Sequence, residues 1–342
     1  MGKIVKFENK PRILSSASVV GKKESDGPLS KYFDIHDASD KFGQKTFEQA
    51  ESEMQRLALN LALSKIKAQP ESVEAVFAGD LMNQCTGSSY GLSGFGIPYL
   101  GLYGACSTAA EGLILAGMTV NGGVYERVAT VSSSHNSSAE RQFRFPLEYG
   151  SQRPPTAQWT ATAAAAFIID REGDRETGCA ACLTEGLVGK IVDKGISDAC
   201  NMGAAMAPAA ADTLLEYFVK GRRNPDDFDL IVTGDLGIEG HSICKELLAE
   251  EGLTLGENFN DCGKLIFDGK TQDTHSGGSG CGCSASVTAG FIMDGFKKGM
   301  FRDVLLIGTG ALMSPTALQQ GLSIAGIGHL IRLSAIEESR EC

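Results

Sequence analysis

The sequence of 342 residues is short of basic side chains: 31 Lys and Arg stand against 42 Asp and Glu, a formal net charge of −11. That balance excludes a nucleic-acid partner, because neutralising a phosphate backbone needs a basic patch. No apolar run reaches the roughly 18–20 residues that a membrane-spanning helix requires, and the N-terminus lacks the apolar core of a signal peptide. The expectation is a cytosolic protein, or one held at a membrane by a partner rather than by a span of its own. The ten cysteines follow no framework spacing, which fits a reducing compartment rather than a disulfide scaffold. Cys179 with Cys182 and Cys281 with Cys283 are pairs in different elements, not two pairs around one loop, so no metal site is expected. Neither a Walker motif nor a full dinucleotide glycine motif is present, and no cofactor is expected.

What is there is an ordinary globular balance, 42% apolar and 21% charged residues, with 42 glycines that suggest many tight turns and close backbone approaches. Strand-like and helix-like segments alternate. Glu48 to Ala68 and Ala205 to Val219 carry apolar residues at helical spacing, each ahead of a strand that ends in Gly-Asp-Leu, at Gly79-Asp80-Leu81 and Gly234-Asp235-Leu236. Gly104 through Val128 then reads as glycine-rich turn, helix, loop and strand, and Gly280 through Val304 repeats the pattern at a constant offset. Val76 and Val128 are thereby expected to be equivalent to Ile231 and Val304. This predicts an α/β protein of two duplicated halves, 1–171 and 172–342, with a charged turn at Arg171-Glu172-Gly173-Asp174 as the boundary. It also predicts mostly parallel sheets, helices on their faces, and a pocket between the halves at the strand ends.

The sharpest candidate is Cys106, between an apolar run at Ile97–Tyr103, read as a buried strand, and a helix from Thr108 to Val120. A cysteine on such a turn lies near free backbone N–H groups and the positive end of a helix, which favours thiolate. Thr108 and Glu111 match a capping box that starts the helix just after it. Cys106 is thus either a small pocket-lining residue or a nucleophile. Ser132 to Asn136 follows a strand at Arg127–Val131, and His135 is either a partner for Cys106 or a loop residue. Arg141, Arg144 and Arg153, among Phe143, Phe145 and Tyr149, suit a planar anion or form a solvated loop paired with Glu140 and Glu148. The run Gly277-Gly278-Ser279-Gly280 offers backbone N–H groups to an anion.

With these residues in place the chain resembles the thiolase superfamily, which implies layered helices and sheets (αβαβα) and, as prior, a homodimer. Active members polarise a thioester with second-half histidine, asparagine or cysteine groups. Here those places fall on Gly234, Gly237 and Cys281, and a first-half Gly-Asp-Gly-Ala reads Thr160-Ala161-Thr162-Ala163. A cysteine without oxyanion donors or a base loses most transition-state stabilisation.

A closer resemblance, over nearly the whole chain, is to the stage V sporulation protein AD family of spore-forming bacteria. It is carried by Ala78-Gly79-Asp80-Leu81-Met82-Asn83-Gln84, Gly104-Ala105-Cys106-Ser107-Thr108, Ala139-Glu140-Arg141-Gln142-Phe143-Arg144, Met202 to Thr213 and Asn260-Asp261-Cys262-Gly263. That resemblance implies a non-catalytic, peripheral component of the SpoVA channel complex at the forespore or spore inner membrane, with other stage V sporulation A membrane proteins as partners. Its ligand would be dipicolinic acid (pyridine-2,6-dicarboxylate), with or without calcium, taken up in sporulation and released in germination. The contacts expected from pocket logic are Ala105, Cys106, Ser107, Ser133, Ser134, His135, Asn136, Arg141, Ser279, Gly280 and Cys281, with Cys106 a vestigial nucleophile. The alternative is a cysteine-dependent acyltransferase that uses His135 or His275 as base.

Overall fold

The computed structural model describes residues 2–143, 152–173 and 179–336. Two sets of five strands share one order. The first set is Arg12–Val20 (β1), Ala75–Gly79 (β2), Tyr99–Gly101 (β3), Arg127–Ser134 (β4) and Ala163–Asp170 (β5). The second is Ala181–Leu187 (β6), Leu230–Thr233 (β7), Phe259–Asp261 (β8), Asp303–Ala311 (β9) and Gly326–Ala335 (β10). From its outer end inward the first set runs β3-β2-β4-β5-β1 and the second β8-β7-β9-β10-β6. The senses also match: β2 is parallel to β3 and β4, and β7 to β8 and β9. β5 and β10 are antiparallel to both of their neighbours. Ala75 lies opposite Val128 and Leu230 opposite Val304, so the strand register repeats the sequence equivalence. The sets meet where β1 pairs with β6, at Arg12–Cys182 and Ile13–Ala181.

The layers follow from which side chains alternate to which face. Helix Phe47–Lys65 (α1), capped by the Thr46 hydroxyl, packs Ala50, Met54, Ala58 and Ala62 on Val76, Ala78, Ala129 and Val131. The opposite faces, with Phe77, Val128 and Phe167, turn to a shared core. That core also takes Val232, Val304, Leu306 and Ile331 from the second set. Between the sets lie helices Thr108–Asn121 (α3) and Cys281–Val287 (α7), supplying Leu113, Ala116, Val120, Cys283 and Val287. Outside the second set, Met202–Leu215 (α5) and Gly237–Glu250 (α6) cover Ile231, Leu305 and Ile307 with Met206, Leu214, Cys244 and Leu248. The result is helix, sheet, helix, sheet, helix. Two more helices bear on the site: Thr86–Leu92 (α2), after β2, and Asn136–Phe143 (α4), after β4.

Several expectations need correction. The apolar run 97–103 is not a buried strand: only Tyr99–Gly101 is extended, at the outer edge of the sheet, and Tyr99, Leu100 and Tyr103 are exposed. The strand expected at Arg127–Val131 continues to Ser134, so the serines sit inside the sheet. The helix expected at 205–219 starts at Met202, where Asn201 accepts a hydrogen bond from the Ala204 N–H. Asp174 of the expected boundary turn lies outside the described residues. Among the described residues, no helix is long and apolar enough to cross a membrane.

Candidate functional site

Cys106 sits on a tight turn that leads into α3. Ala105 before it has φ +50, a left-handed conformation that costs an L-residue energy and is held by its surroundings. The Thr108–Glu111 capping box does not form. Ser107 is the cap residue, the Thr108 hydroxyl donates to the Ala105 carbonyl at 2.7 Å, and Glu111 keeps a buried oxygen without a partner. The end of β9 passes directly beneath this turn. A side chain at Gly310 would overlap the Gly104 carbonyl, and one at Gly308 would lie 2.6 Å from Ala110 Cβ. The second glycine-rich turn meets the first from the other side. Gly280 has φ +100, and a Cβ at Gly282 would overlap the Ala163 carbonyl and lie 2.8 Å from Ser134 N. This approach brings Ser279 Oγ to 3.9 Å from Cys106 Sγ.

Behind Ser279 lies Asp235, fully buried just past β7. Its Oδ2 accepts from Ser279 Oγ at 3.0 Å and Gly280 N at 2.8 Å, and its Oδ1 accepts from Thr309 Oγ1 at 2.7 Å. Asp235 stands in the Gly234-Asp235-Leu236 motif, whose pattern alone does not mark it as part of the site. Its repeat partner Asp80 accepts from Met82 N, Ser88 N and Ser88 Oγ, and so organises the approach to α2 and its first turn. In the second half that duty falls to Asp261, which accepts from Leu236 N at 2.8 Å and Gly237 N at 3.0 Å at the start of α6. Asp235 is thereby left to bind Ser279, Gly280 and Thr309 just behind the cleft. Burial pushes the Cys106 thiol well above its ordinary range, and the Asp235 carboxylate adds to the effect. The thiolate expected from the helix start is outweighed, because desolvation and a like charge both oppose ionisation. Burial likewise raises Asp235, against its hydrogen-bond donors.

A narrow cleft reaches Cys106 between the two halves; the free space inside it is about 30 Å³, room for one or two water molecules. Its walls are mostly apolar, with Leu81, Ala139, Phe143, Met202, Ala311 and Met313, and its polar groups are Tyr103, Cys106, Glu140, Thr160 and Ser279. A wider hollow bounded by Asn83, Gln84, Tyr103, Phe143, Met313 and Pro315 adjoins it. Of the expected contacts, Ala105, Cys106 and Ser279 line the cleft. Gly280 donates to Asp235 behind it, and Cys281 packs beside Cys106, Leu81 and Ala139 with its thiol on the Ser133 carbonyl at 2.8 Å.

The other expected contacts do not line it. Ser107 Oγ donates to the Gly104 carbonyl. Ser133 Oγ donates to Glu51 and accepts from Gln55, under α1. Ser134 Oγ donates to the Ala161 carbonyl and accepts from Gly282 N. His135 holds the Asp40 carbonyl at 2.8 Å and accepts from Ser137 N, a turn-bracing role, with burial lowering its basicity. Asn136 N–H donates to Thr162 Oγ1. Arg141 pairs with Glu48 at the surface, and Arg153 pairs with Asp273 and lies over Trp159. His275 is held by the Pro154 carbonyl and Asp273, and Arg144 lies outside the described residues. Among the described residues the lining contains no Lys, Arg or His, and no three His, Cys, Asp or Glu side chains group so as to hold a metal.

This duplicated, five-layered frame is the thiolase-like fold of the condensing enzymes. It matches 3-oxoacyl-[acyl-carrier-protein] synthase III from Aquifex aeolicus (TM-score 0.56, 13% identity, 95% of this chain and 99% of that one). It also matches cerulenin-bound OleA from Xanthomonas campestris (TM-score 0.60, 12% identity, 96% and 100%). Human mitochondrial 3-ketoacyl-CoA thiolase with CoA is similar (TM-score 0.56, 14% identity, 96% and 98%). At these identities the likeness establishes the fold. The model of the stage V sporulation protein AD family matches residues 2–334, and stage V sporulation protein AD of Bacillus subtilis (strain 168) is 42% identical over 324 residues, 94% of each chain. The chain belongs to the stage V sporulation protein AD family.

Proposed function

We propose that this protein is a non-catalytic member of its fold that holds dipicolinic acid in the Cys106 cleft as part of the SpoVA channel of the spore inner membrane. One observation carries the reading. Cys106 faces Ser279 and the buried Asp235, while neither His135 nor His275 lines the cleft. A nucleophilic thiol is activated by an imidazole or a nearby cation, and a carboxylate behind a hydroxyl brings instead a negative charge that opposes thiolate formation. A flat pyridine ring would enter between Leu81, Phe143, Met202 and Met313 as these side chains part toward the wider hollow of about 270 Å³ beside them, with the Tyr103 and Thr160 hydroxyls for its carboxylates. Burying two negative charges near Asp235, where the described lining residues include no basic side chain, is costly. The calcium chelate, with its charge neutralised, is therefore the favoured form over the free dianion.

Attachment at the forespore or spore inner membrane would come through other stage V sporulation A membrane proteins. The halves 1–171 and 172–342 would act as one unit, since both line the cleft. A homodimer would form through β3, whose open backbone edge is flanked by exposed Tyr90, Tyr99, Leu100 and Tyr103; unpaired apolar edges invite pairing with a second copy. The test is to incubate the protein with short acyl-CoA thioesters and measure intact mass, alongside calorimetric titration with dipicolinate. Saturable binding with no acyl adduct on Cys106 is expected. A stable adduct with turnover would overturn the reading in favour of an acyltransferase.

A further inference from the structure

We infer that Asp235 is a positioning residue that holds the Cys106 thiol silent through Ser279, so that the cleft carries an added lock rather than only missing catalytic groups. The inference rests on the non-catalytic reading and deepens it. It starts from the direction of the hydrogen bonds. The Ser279 hydroxyl has one proton and spends it on Asp235 Oδ2 at 3.0 Å. Toward Cys106 Sγ, 3.9 Å away, its oxygen has only a lone pair to offer. The chain therefore runs from Cys106 S–H to Ser279 O–H to the carboxylate. A thiolate in this place would meet a lone pair with a negative charge behind it, offset in part by the Gly280 N–H that Asp235 also takes. A reactive cysteine has the reverse arrangement, with a donor or cation facing the sulfur.

Asp235 is built in rather than incidental. Its carboxylate also takes the Gly280 N–H and the Thr309 hydroxyl, its own N–H donates back to Thr309 Oγ1 at 3.0 Å, and its carbonyl accepts from Gln158 Nε2 at 2.7 Å. The other titratable groups near Cys106 do not offset it. Among the described residues they are Cys281 and Cys283 on α7, Tyr103 before the turn and Glu140 on α4, with Asp80 and Glu51 beyond Cys281. All are acids.

Asp235→Asn tests this. With its amide turned to Thr309, asparagine keeps an acceptor for Ser279 and Gly280 but loses the charge. Full-length protein is treated with iodoacetamide from pH 6.5 to 10, and modification of each cysteine is read by peptide mass spectrometry. In the reaction the sulfur displaces iodide, and the thiol proton goes to buffer. The wild-type Cys106 profile should show no inflection across that range. The asparagine variant should react at least tenfold faster at pH 8 with its profile shifted to lower pH, Asp235→Glu should restore the slow rate, and Cys262 and Cys283 should be unchanged. A wild-type profile that inflects near 8.5, the ordinary thiol range, overturns the inference whether or not the variant folds. So does a folded asparagine variant with the wild-type rate. Dipicolinate titration of the same samples separates the two claims. A reactive wild-type Cys106 in a protein that binds dipicolinate sinks only the lock, and a variant-activated Cys106 in a protein that binds none sinks only the ligand.

Discussion

Replacing Glu24 with glutamine should remove a pH dependence of stability that the fold imposes on one carboxyl. Glu24 is fully buried, in the turn after β1. Its Oε1 accepts from Thr162 N at 3.0 Å, and its Oε2 has no partner. It thereby braces the segment that carries Thr160 into the cleft wall. Burial pushes its carboxyl up from 4.5 to about 8, with the Asp40 charge adding and Lys23 opposing. Between those values the folded state keeps a proton that the unfolded chain has lost. The stability it contributes is complete below about pH 4.5 and is lost as pH rises through about 8. The loss is about 1.4 kcal/mol per pH unit across that window, on the order of 5 kcal/mol in full. Glutamine cannot ionise and keeps the acceptor for Thr162. Urea denaturation of both proteins at pH 5, 7 and 9 should therefore show near-equal stability at pH 5 and a glutamine variant more stable by several kcal/mol at pH 9. Parallel pH profiles, or a glutamine variant less stable at pH 9, would refute the reasoning.

Gly282→Ala should cost about 3 kcal/mol or more, read as a fall in denaturation midpoint, because the new methyl meets the Ala163 carbonyl and Ser134 N. Each ligand charge about 8 Å from an ionised Asp235 costs about 2 kcal/mol at an effective dielectric constant near 20. Free dipicolinate with a calcium chelator present should thus bind at least tenfold more weakly than with calcium, and equal affinities by calorimetry would contradict the charge argument. Leu100→Lys on the open edge of β3 should shift sedimentation from dimer to monomer without changing the melting profile; an unchanged dimer would place the contact elsewhere. No short acyl-CoA should undergo Claisen condensation, and product abolished by Cys106→Ala would show the opposite.

The fold was legible because duplication leaves local marks. Gly79-Asp80-Leu81 and Gly234-Asp235-Leu236 marked β2 and β7, and the two glycine-rich turns marked the starts of α3 and α7. The antiparallel senses of β5 and β10 were not legible. β5, Ala163–Asp170, is buried along its whole length, and an apolar run has no periodicity that fixes its direction. The site was less legible than the fold. Ser133, Ser134 and His135 read as donors on a loop, but β4 extends beneath them and commits the two hydroxyls to Glu51 and Ala161. Asp80 and Asp235 are indistinguishable by motif. Their roles part only because Asp261, from a different strand, takes over the start of α6.

The most direct test of the central claim is calorimetric titration of dipicolinate, with calcium, into folded Cys106→Ser and Cys106→Phe variants. Cys106 forms the buried end of the cleft, so a phenyl ring there fills the space the pyridine needs, whereas a hydroxyl leaves it open. The serine variant should keep most of the wild-type affinity, since the thiol lines the site and forms no bond to the ligand, and the phenylalanine variant should show no binding. Unchanged affinity in the phenylalanine variant would place the ligand elsewhere and contradict the account.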